Sequence, residues 1–468
     1  MTQCLVFDLG AGSGRAMVAR LDGGRLTLTE IHRFGGYAAE RTDGPHWDIA
    51  LLLAEIEAGL RKAQETFGPM DSIGVDSWGL DYGLYDATGR LNGEPLHYRH
   101  PRSQQVGDLA LPPEALFAAT GAQELSVDTL HQLTGEARHM PERHTGAKRL
   151  LMMADIVNHH LTGAFRSELT LARTSGLIDA WTNLWSTELC ERLGLPHHLL
   201  QPIIQAGEAY GTLRADLAKH LGWGSVPVIA VAAHDTASAV AALGLEDGSG
   251  FLICGSWSLI GAEQDRIDTR PAVLEAGFGN EGGVEGRSFL VRSLNGLHLV
   301  QKLRDSWQRR TGQDVDFATI SRVAAAAPDT PAIEPSKGVF FNPPDMVEAI
   351  SKSLGLHGTD IADDLGRLTL AIYKGLAAEI GVAVRSLETL KQRSLPALKL
   401  CGGGAKDELL CRLVADATGK PLRIGPIESS AWGNALMQLI GLGLVKSLED
   451  GRRLVERSAE FHDLVRSQ

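Results

Sequence analysis

The chain has 468 residues, more than one hydrophobic core of ordinary size organises, so two domains are expected. Its formal net charge is −12, with no long Lys/Arg run, which argues against a nucleic-acid partner. No apolar run is long enough to span a bilayer, so no membrane partner is expected either.

Cys4 to Phe7 reads as an apolar strand running into Asp8-Leu-Gly-Ala-Gly-Ser-Gly-Arg15. Gly10, Gly12 and Glu30 loosely imitate a dinucleotide fingerprint, which requires a helix after its glycines. Here only Ala16 to Leu21 precedes Asp22-Gly23-Gly24, a hairpin signal, and Leu26 to Ile31 alternates like a strand. The segment is therefore a meander, and an oxidoreductase reading loses its helix. No Gly-x4-Gly-Lys-Ser/Thr loop is present.

Asp48 caps a helix to Phe67, with Ile49, Leu52, Leu53, Ile56 and Leu60 on one face and Gly68-Pro69 as its stop. Ser72 to Asp76 is a second short strand ending near an acid. The region from Leu96 to about Leu221 reads as mixed and mostly helical. His159-His160 and His197-His198 lack the i, i+4 spacing of a helical metal site and read as surface residues.

Val226 to Ala233 is a β-branched apolar run, read as a buried strand, and Thr236 to Leu243 starts a helix. His234 and Asp235 fall at that handover, and open α/β sheets bind ligands at strand C-terminal ends. By itself Asp235 also reads as a plain helix N-cap. Phe251 to Ile260 repeats the opening pattern as strand, Gly255-Ser256 turn, strand, a weak internal duplication. Glycine turns let backbone N–H groups approach anionic oxygens, so two such hairpins suggest a nucleotide clamp; one hairpin alone would be ordinary. Leu294 to Arg310 and Thr359 to Leu390 read as helices. Ala397 to Cys401 is a strand leading through Gly402-Gly403-Gly404 into a helix from Lys406 to Thr418, and Ser429-Ser430 caps a last major helix to Leu444.

The five cysteines, Cys4, Cys190, Cys254, Cys401 and Cys411, form no C-x-x-C pair, so neither a disulfide framework nor a zinc site is expected. The amino terminus lacks a basic stretch and carries Asp8 and Arg15 early, unlike a signal peptide, and a reducing cytoplasm fits.

Asp8 to Arg15, Ser72-Ile-Gly-Val-Asp-Ser-Trp-Gly-Leu-Asp-Tyr82, Ala233-His-Asp-Thr-Ala-Ser-Ala-Val240, Gly255-Ser-Trp-Ser-Leu259, Asn280-Glu-Gly-Gly283 and Gly402 to Gly404 resemble, in matching order, the FGGY carbohydrate kinases. The likeness is greatest to the branch acting on L-rhamnulose. The resemblance implies an α/β chain of two actin-like (ribonuclease-H-like) domains with an interdomain cleft. Residues 1–243 would carry sugar binding and the first phosphate hairpin, and 244–468 nucleotide binding. It implies transfer of the ATP γ-phosphoryl group, with Mg²⁺, to a small-molecule sugar. Asp235 takes the proton-acceptor position. Gly79, His234, Asp235, Thr236 and Ser293 fall on sugar-contacting positions. Ala11, Gly12, Ser13, Gly14, Arg15, Ser256, Gln301 and Gly403 fall on nucleotide-contacting positions, and Asp8 on the metal's. Departures from that branch are Ser293 for Asn, His100 for Asp and Asp128 for Asn, which keep L-fuculose or another ketose open. Ser256 for Thr keeps a hydroxyl. A non-enzymatic actin-like ATP clamp is the remaining alternative; it would lack a base beside a sugar pocket. Nothing in the sequence speaks to oligomeric state.

Overall fold

The computed structural model describes residues 1–107, 109, 111–355 and 364–464. The chain forms two compact units, one of 1–244, 263–290 and 429–459, the other of 245–262, 291–428 and 460–468.

The first unit is built on a six-stranded sheet in the order Ala209–Thr212, Pro227–Ile229, Ser72–Ser77, Thr2–Leu9, Ser13–Asp22, Arg25–Gly35. Thr2–Leu9 pairs antiparallel with Ser13–Asp22 and parallel with Ser72–Ser77, which is in turn parallel to Pro227–Ile229. The expected meander is present, with Asp22 and Arg25 paired around the Gly23-Gly24 turn. Strand alternation sorts the core onto two faces. Leu5, Phe7 and Leu9 join the cluster of Leu52, Ile56 and Leu60 from helix Ile49–Phe67, while Cys4 and Val6 join Ala431, Ala435 and Leu439 from helix Ser429–Gly441. Both faces are covered, hence the nearly unbroken apolar strand. Asp48 caps the first helix, accepting from Leu51 N–H at 2.9 Å.

In the second unit, strands run in the order Trp257–Gln264, Gly250–Cys254, Leu398–Cys401, Leu422–Ile424, His462–Leu464. Their pairings are antiparallel, parallel, parallel and antiparallel. Five strands of the first unit, from Ser13–Asp22 through to Ala209–Thr212, follow the same sequence of pairings. The duplication read from two glycine turns is thus a repeat of topology. Helices Leu365–Lys391 and Glu408–Thr418 supply much of this unit's core.

Several elements differ in extent from the sequence reading. The strand at 226–233 covers only Pro227–Ile229. Beyond it the backbone is still buried, but Ala233 N–H donates to Glu168 Oε2 and His234 N–H to Thr170 Oγ1, so side chains take these N–H groups while Ala233 O still accepts from Ser77 N–H at 2.8 Å. The helix expected from Leu294 begins at His298, because Leu294 and Asn295 continue strand Ser288–Asn295. The long helix is Leu365–Lys391, and its expected start at Thr359 lies outside the described residues. The helix expected from Lys406 begins at Glu408, after a 3₁₀ turn at Gly403–Lys406. Rather than lying on the surface, His159 packs against Phe165 and Tyr85. All five cysteines are buried, and none is in a disulfide among the described residues. No described helix is long and apolar enough to cross a membrane.

Candidate active site

Sheet register assembles the acids of the first unit. Asp8, near the end of its strand, lies opposite Asp76 in the parallel pairing and opposite Arg15 in the antiparallel one. Ser77 bridges His234 in the same parallel sense. Asp8, Asp76 and the His234-Asp235 junction thus stand at the C-terminal ends of three adjacent parallel strands, the ligand end of such a sheet.

Asp8 accepts from Ser430 Oγ at 3.0 Å and has Arg15 Nη1 at 3.6 Å. Asp76 is fully buried; its Oδ2 accepts from Asn434 Nδ2 at 2.6 Å, and among the described residues no hydrogen-bond donor meets its Oδ1. Burial, then the charge of Asp8, pushes the Asp76 carboxyl well above the usual range. Asp235 is raised as well, by burial first; neighbouring His234 opposes the shift and Asp8 adds to it. These acids are short of positive charge. Among the described residues no group of three or more His, Cys, Asp or Glu is arranged to hold a metal directly. Magnesium typically keeps several waters and takes only one or two carboxylates, so the Asp8 and Asp76 pair fits it.

Asp235 is not the N-cap of helix Asp235–Ala242; His234 holds that position, with extended backbone angles, and Asp235 is the first helical residue. Its Oδ1 accepts from Thr236 N–H at 2.6 Å and from Thr236 Oγ1 at 3.3 Å. His234 Nε2 is 3.5 Å from the same oxygen, and its Nδ1 is 3.2 Å from Glu281 Oε2. About a third of the Asp235 side chain (34%) stays open to solvent. Glu168, fully buried, holds the junction from behind. Its Oε2 accepts from Thr170 Oγ1, Leu171 N–H and Ala233 N–H at 2.6, 3.1 and 3.1 Å. Burial pushes its carboxyl up to about 7.

The Trp78-Gly79 segment is braced by aromatics. Trp78 stacks on Tyr37 and lies 4.4 Å from Trp47, ring centre to ring centre. Both indole N–H groups donate to Asp81 Oδ2, at 2.8 and 2.9 Å. Leu80 adopts φ 78°, a strained left-handed conformation for a branched residue. It is held by Thr174 Oγ1 on its N–H and by Thr129 Oγ1 and Gln132 Nε2 on its carbonyl. A Cβ on Gly79 would lie 2.7 Å from Thr174 Oγ1, so glycine there already serves packing.

The glycine turns divide by role. At Gly14 a Cβ would strike the Phe34 ring, whereas at exposed Gly12 it would meet nothing within 4 Å. In the second unit Gly402 abuts the Cys254 carbonyl and Gly404 the Cys254 thiol, while exposed Gly403 again meets nothing. Cys254 precedes the Gly255-Ser256 turn, so the Gly403 loop lies beside that turn. The first residues of helix His298–Thr311 also rest on it: Leu297 N–H donates to Gly255 O at 2.9 Å and His298 Nδ1 to Ser256 O at 2.8 Å. Gln301 follows on that helix, its Nε2 donating to Asp305. Ser256, Gln301 and Gly403 therefore converge within the second unit, and Ser293 is exposed on strand Ser288–Asn295. Within the first unit, Asp8, Arg15, His234, Asp235 and Thr236 converge.

The sequence points to no site role for Asp76, Glu168, Glu281 or Asn434, and to Ser430 only as a helix cap, whereas Ser430 lies inside helix Ser429–Gly441 and donates to Asp8. Asp76 and Glu281 lay inside quoted motifs; Glu168 carried no local signal.

The model of the FGGY family of carbohydrate kinases, N-terminal domain, matches residues 4–244, and that of its C-terminal domain residues 250–442. A rhamnulokinase of Bacteroides thetaiotaomicron is 33% identical over 461 residues, covering 96% of this chain and 93% of the relative. One from Pectobacterium carotovorum subsp. carotovorum is 35% identical over 461 residues, covering 97% and 91%. Among solved structures, the ligand-bound xylulose kinase of Lactobacillus acidophilus superposes with a TM-score of 0.80 at 16% identity, covering 100% of this chain and 94% of that one. Plasmodium falciparum glycerol kinase with ADP gives 0.79 at 13%, covering 98% and 94%, a likeness of fold alone. With both family models matched in order along the chain, this protein belongs to the FGGY family of carbohydrate kinases, and is an ATP-dependent sugar kinase of α/β, actin-like fold.

Proposed function

We propose that this kinase, working in the cytoplasm, transfers the γ-phosphoryl group of ATP to the terminal primary hydroxyl of L-rhamnulose, with Asp235 as proton acceptor. Relatives named rhamnulokinase, 33–35% identical along nearly the whole chain, support the sugar. The observation that carries the chemistry is the asymmetry of the Asp235 carboxylate. Oδ1 is engaged by Thr236 and faced by His234, and among the described residues no protein donor reaches Oδ2. Oδ2 is the oxygen left for the sugar hydroxyl.

In the proposed step the hydroxyl oxygen forms a bond to the γ-phosphorus while the bond from that phosphorus to the ADP oxygen breaks. The hydroxyl proton passes late to Asp235 Oδ2. A carboxylate is a weak base for an alcohol, so alignment by Asp235 contributes alongside proton removal. The turn at Gly10–Gly14 in the first unit, bare at Gly12, and the Gly255–Ser256 turn in the second, beside bare Gly403, are each proposed as a nucleotide-binding loop of its own unit. Asp8, backed by Asp76, would hold Mg²⁺ through water, where a bound dication offsets phosphate charge. Gly79, His234, Thr236 and Ser293 are proposed to contact the sugar, and Ala11, Ser13, Gly14, Arg15 and Gln301 the nucleotide.

A screen of ketoses and deoxyketoses with coupled ADP detection tests the assignment. L-Rhamnulose is expected to give the highest kcat/KM; a clear preference for L-fuculose or another ketose would sink it.

A further inference from the structure

The segment Asn280-Glu-Gly-Gly283 has no part in the chemistry so far. Asn280 anchors it, donating to Gly121 O and Asp268 O at 2.9 and 3.0 Å and accepting from Gln264 Nε2 and Asp268 N–H at 2.9 and 2.7 Å. Gly282 lets strand Gly279–Gly282 lie against helix Leu169–Arg173: a Cβ there would sit 2.9 Å from Arg173 Cδ and 3.2 Å from Thr170 Cα. Thr170 Oγ1 in turn accepts the His234 N–H at 3.2 Å. This packing brings Glu281 Oε2 to 3.2 Å from His234 Nδ1. Both atoms are buried, and among the described residues neither makes a hydrogen bond of good geometry, so each is left facing the other.

We propose that Glu281 is a positioning residue for phosphoryl transfer, acting through His234 on Asp235; this rests on the reading of Asp235 as proton acceptor. An imidazole has two edges. With Glu281 facing Nδ1, the ring keeps Nε2 toward Asp235 Oδ1, 3.5 Å away. That oxygen then has Thr236 and His234 around it, and Oδ2 stays free for the hydroxyl. Without the Glu281 carboxylate the ring loses the one charged group that faces Nδ1 among the described residues, and can turn Nε2 away. Electrostatics act in the same sense. Burial disfavours a charged His234, but Glu281 first, then Asp235 and Glu168, outweigh it and raise its pKa above the ordinary value.

The test is a double-mutant cycle of Glu281→Gln and His234→Gln in the full-length enzyme with ATP and L-rhamnulose, read in kcat and in KM for ATP. Asp235→Asn is run beside it. Glu281→Gln is expected to lower kcat about tenfold, the scale of one displaced hydrogen bond, and to leave KM for ATP within about twofold. In the His234→Gln background it should have no further effect, which a merely structural role would not reproduce. Glu281→Asp, which keeps the charge but retracts it, should fall between, and carries the same cycle if the amide variant does not fold. Wild-type kcat in Glu281→Gln, or an equal loss in both backgrounds, overturns the proposal. If Asp235→Asn is active, the proton-acceptor reading fails and takes the proposal with it. If Asp235→Asn is inactive while Glu281→Gln keeps full kcat, only the role of Glu281 falls.

Discussion

At the scale of single residues, the most direct consequence concerns Asp235. An amide cannot take the hydroxyl proton, so Asp235→Asn should lose at least ~100-fold in kcat while titrating ADP calorimetrically like the wild type; near-normal turnover by the folded variant removes the assignment. Gly403→Val probes the nucleotide separately. Its Cβ would meet no protein atom within 4 Å, so the melting temperature should hold while ADP affinity falls about tenfold or more and sugar binding persists. Gly404→Ala is the contrast: it pushes into Cys254 and should destabilise the fold. The departures from the L-rhamnulose branch also resolve residue by residue. Asp128 caps helix Thr129–His139, accepting from His131 N–H at 2.9 Å, and His100 Nδ1 accepts from Arg102 N–H at 3.2 Å. Both have local structural work, and exposed Ser293 is the departure whose substitution disturbs the fold least and so tests sugar preference most directly. One side-chain hydrogen bond is worth ~0.5–1.5 kcal/mol, or up to about tenfold in preference. Ser293→Asn should therefore change kcat/KM for L-rhamnulose by no more than about that factor, and a larger gain would show that this enzyme has drifted to another ketose.

At the scale of elements, helix Asp235–Ala242 is held at both ends. Its start is pinned by Glu168, Thr170 and the Ser77 bridge. At its end, nearly fully buried Arg452 donates to Val240 O and Ala241 O at 3.0 and 3.1 Å, two of the last carbonyls, where a cation also suits the helix dipole. Arg452 Nη1 and Nη2 bond both oxygens of Glu263, at 3.0 and 2.8 Å. Arg452→Met should cost about 3 kcal/mol in denaturant melts, near the low end for breaking a buried pair, because Arg287 still holds Glu263 at 2.7 Å. An unchanged midpoint would mean that the pair is not part of the helix's support. The element scale is also where sequence reading was most uneven. The meander, the Asp48-capped helix and the strand preceding Gly402 were legible because turn chemistry and periodicity are local. The 226–233 run forms a shorter strand than its hydropathy suggests, because an apolar β-branched stretch reads the same whether its N–H groups meet a strand or a distant glutamate. Leu294 and Asn295 finish a strand although they read as the start of a helix, since two residues at a boundary have no period of their own.

At the scale of the whole molecule, buried acids set how stability follows pH. Glu168 and Asp81 are fully buried, and burial raises each carboxyl to about 7. Between the unfolded carboxylate range and about pH 7 the folded chain holds protons that the unfolded chain has released. Their stabilising contribution is therefore full below the unfolded pKa and is lost as pH rises through about 7. For Glu168 this amounts to something on the order of 1–3 kcal/mol. Unfolding free energy measured at pH 5 and pH 8 should fall less in Glu168→Gln than in the wild type; equal falls would contradict the raised pKa. The amide oxygen of glutamine can keep the three hydrogen bonds that Oε2 accepts, and among the described residues Oε1 has no hydrogen bond to lose. From the sequence alone came the duplicated strand–turn–strand units, the His234-Asp235 junction and the glycine turns, because each is set by residues within a few positions of one another. Only the tertiary structure decided which acids share a site. Asp8 meets Ser430 across 422 residues of sequence, and Asn434 reaches Asp76 across 358. Helix Ser429–Gly441 carries both, and returns to cover the sheet of the first unit with Ala431, Ala435 and Leu439. Parallel register and helix docking depend on contacts between distant segments, whereas periodicity and turn chemistry act within about ten residues of chain. That is why the place of Asp235 at a strand-to-helix handover could be read in advance, and Glu168 and the pairing of Glu281 with His234 could not.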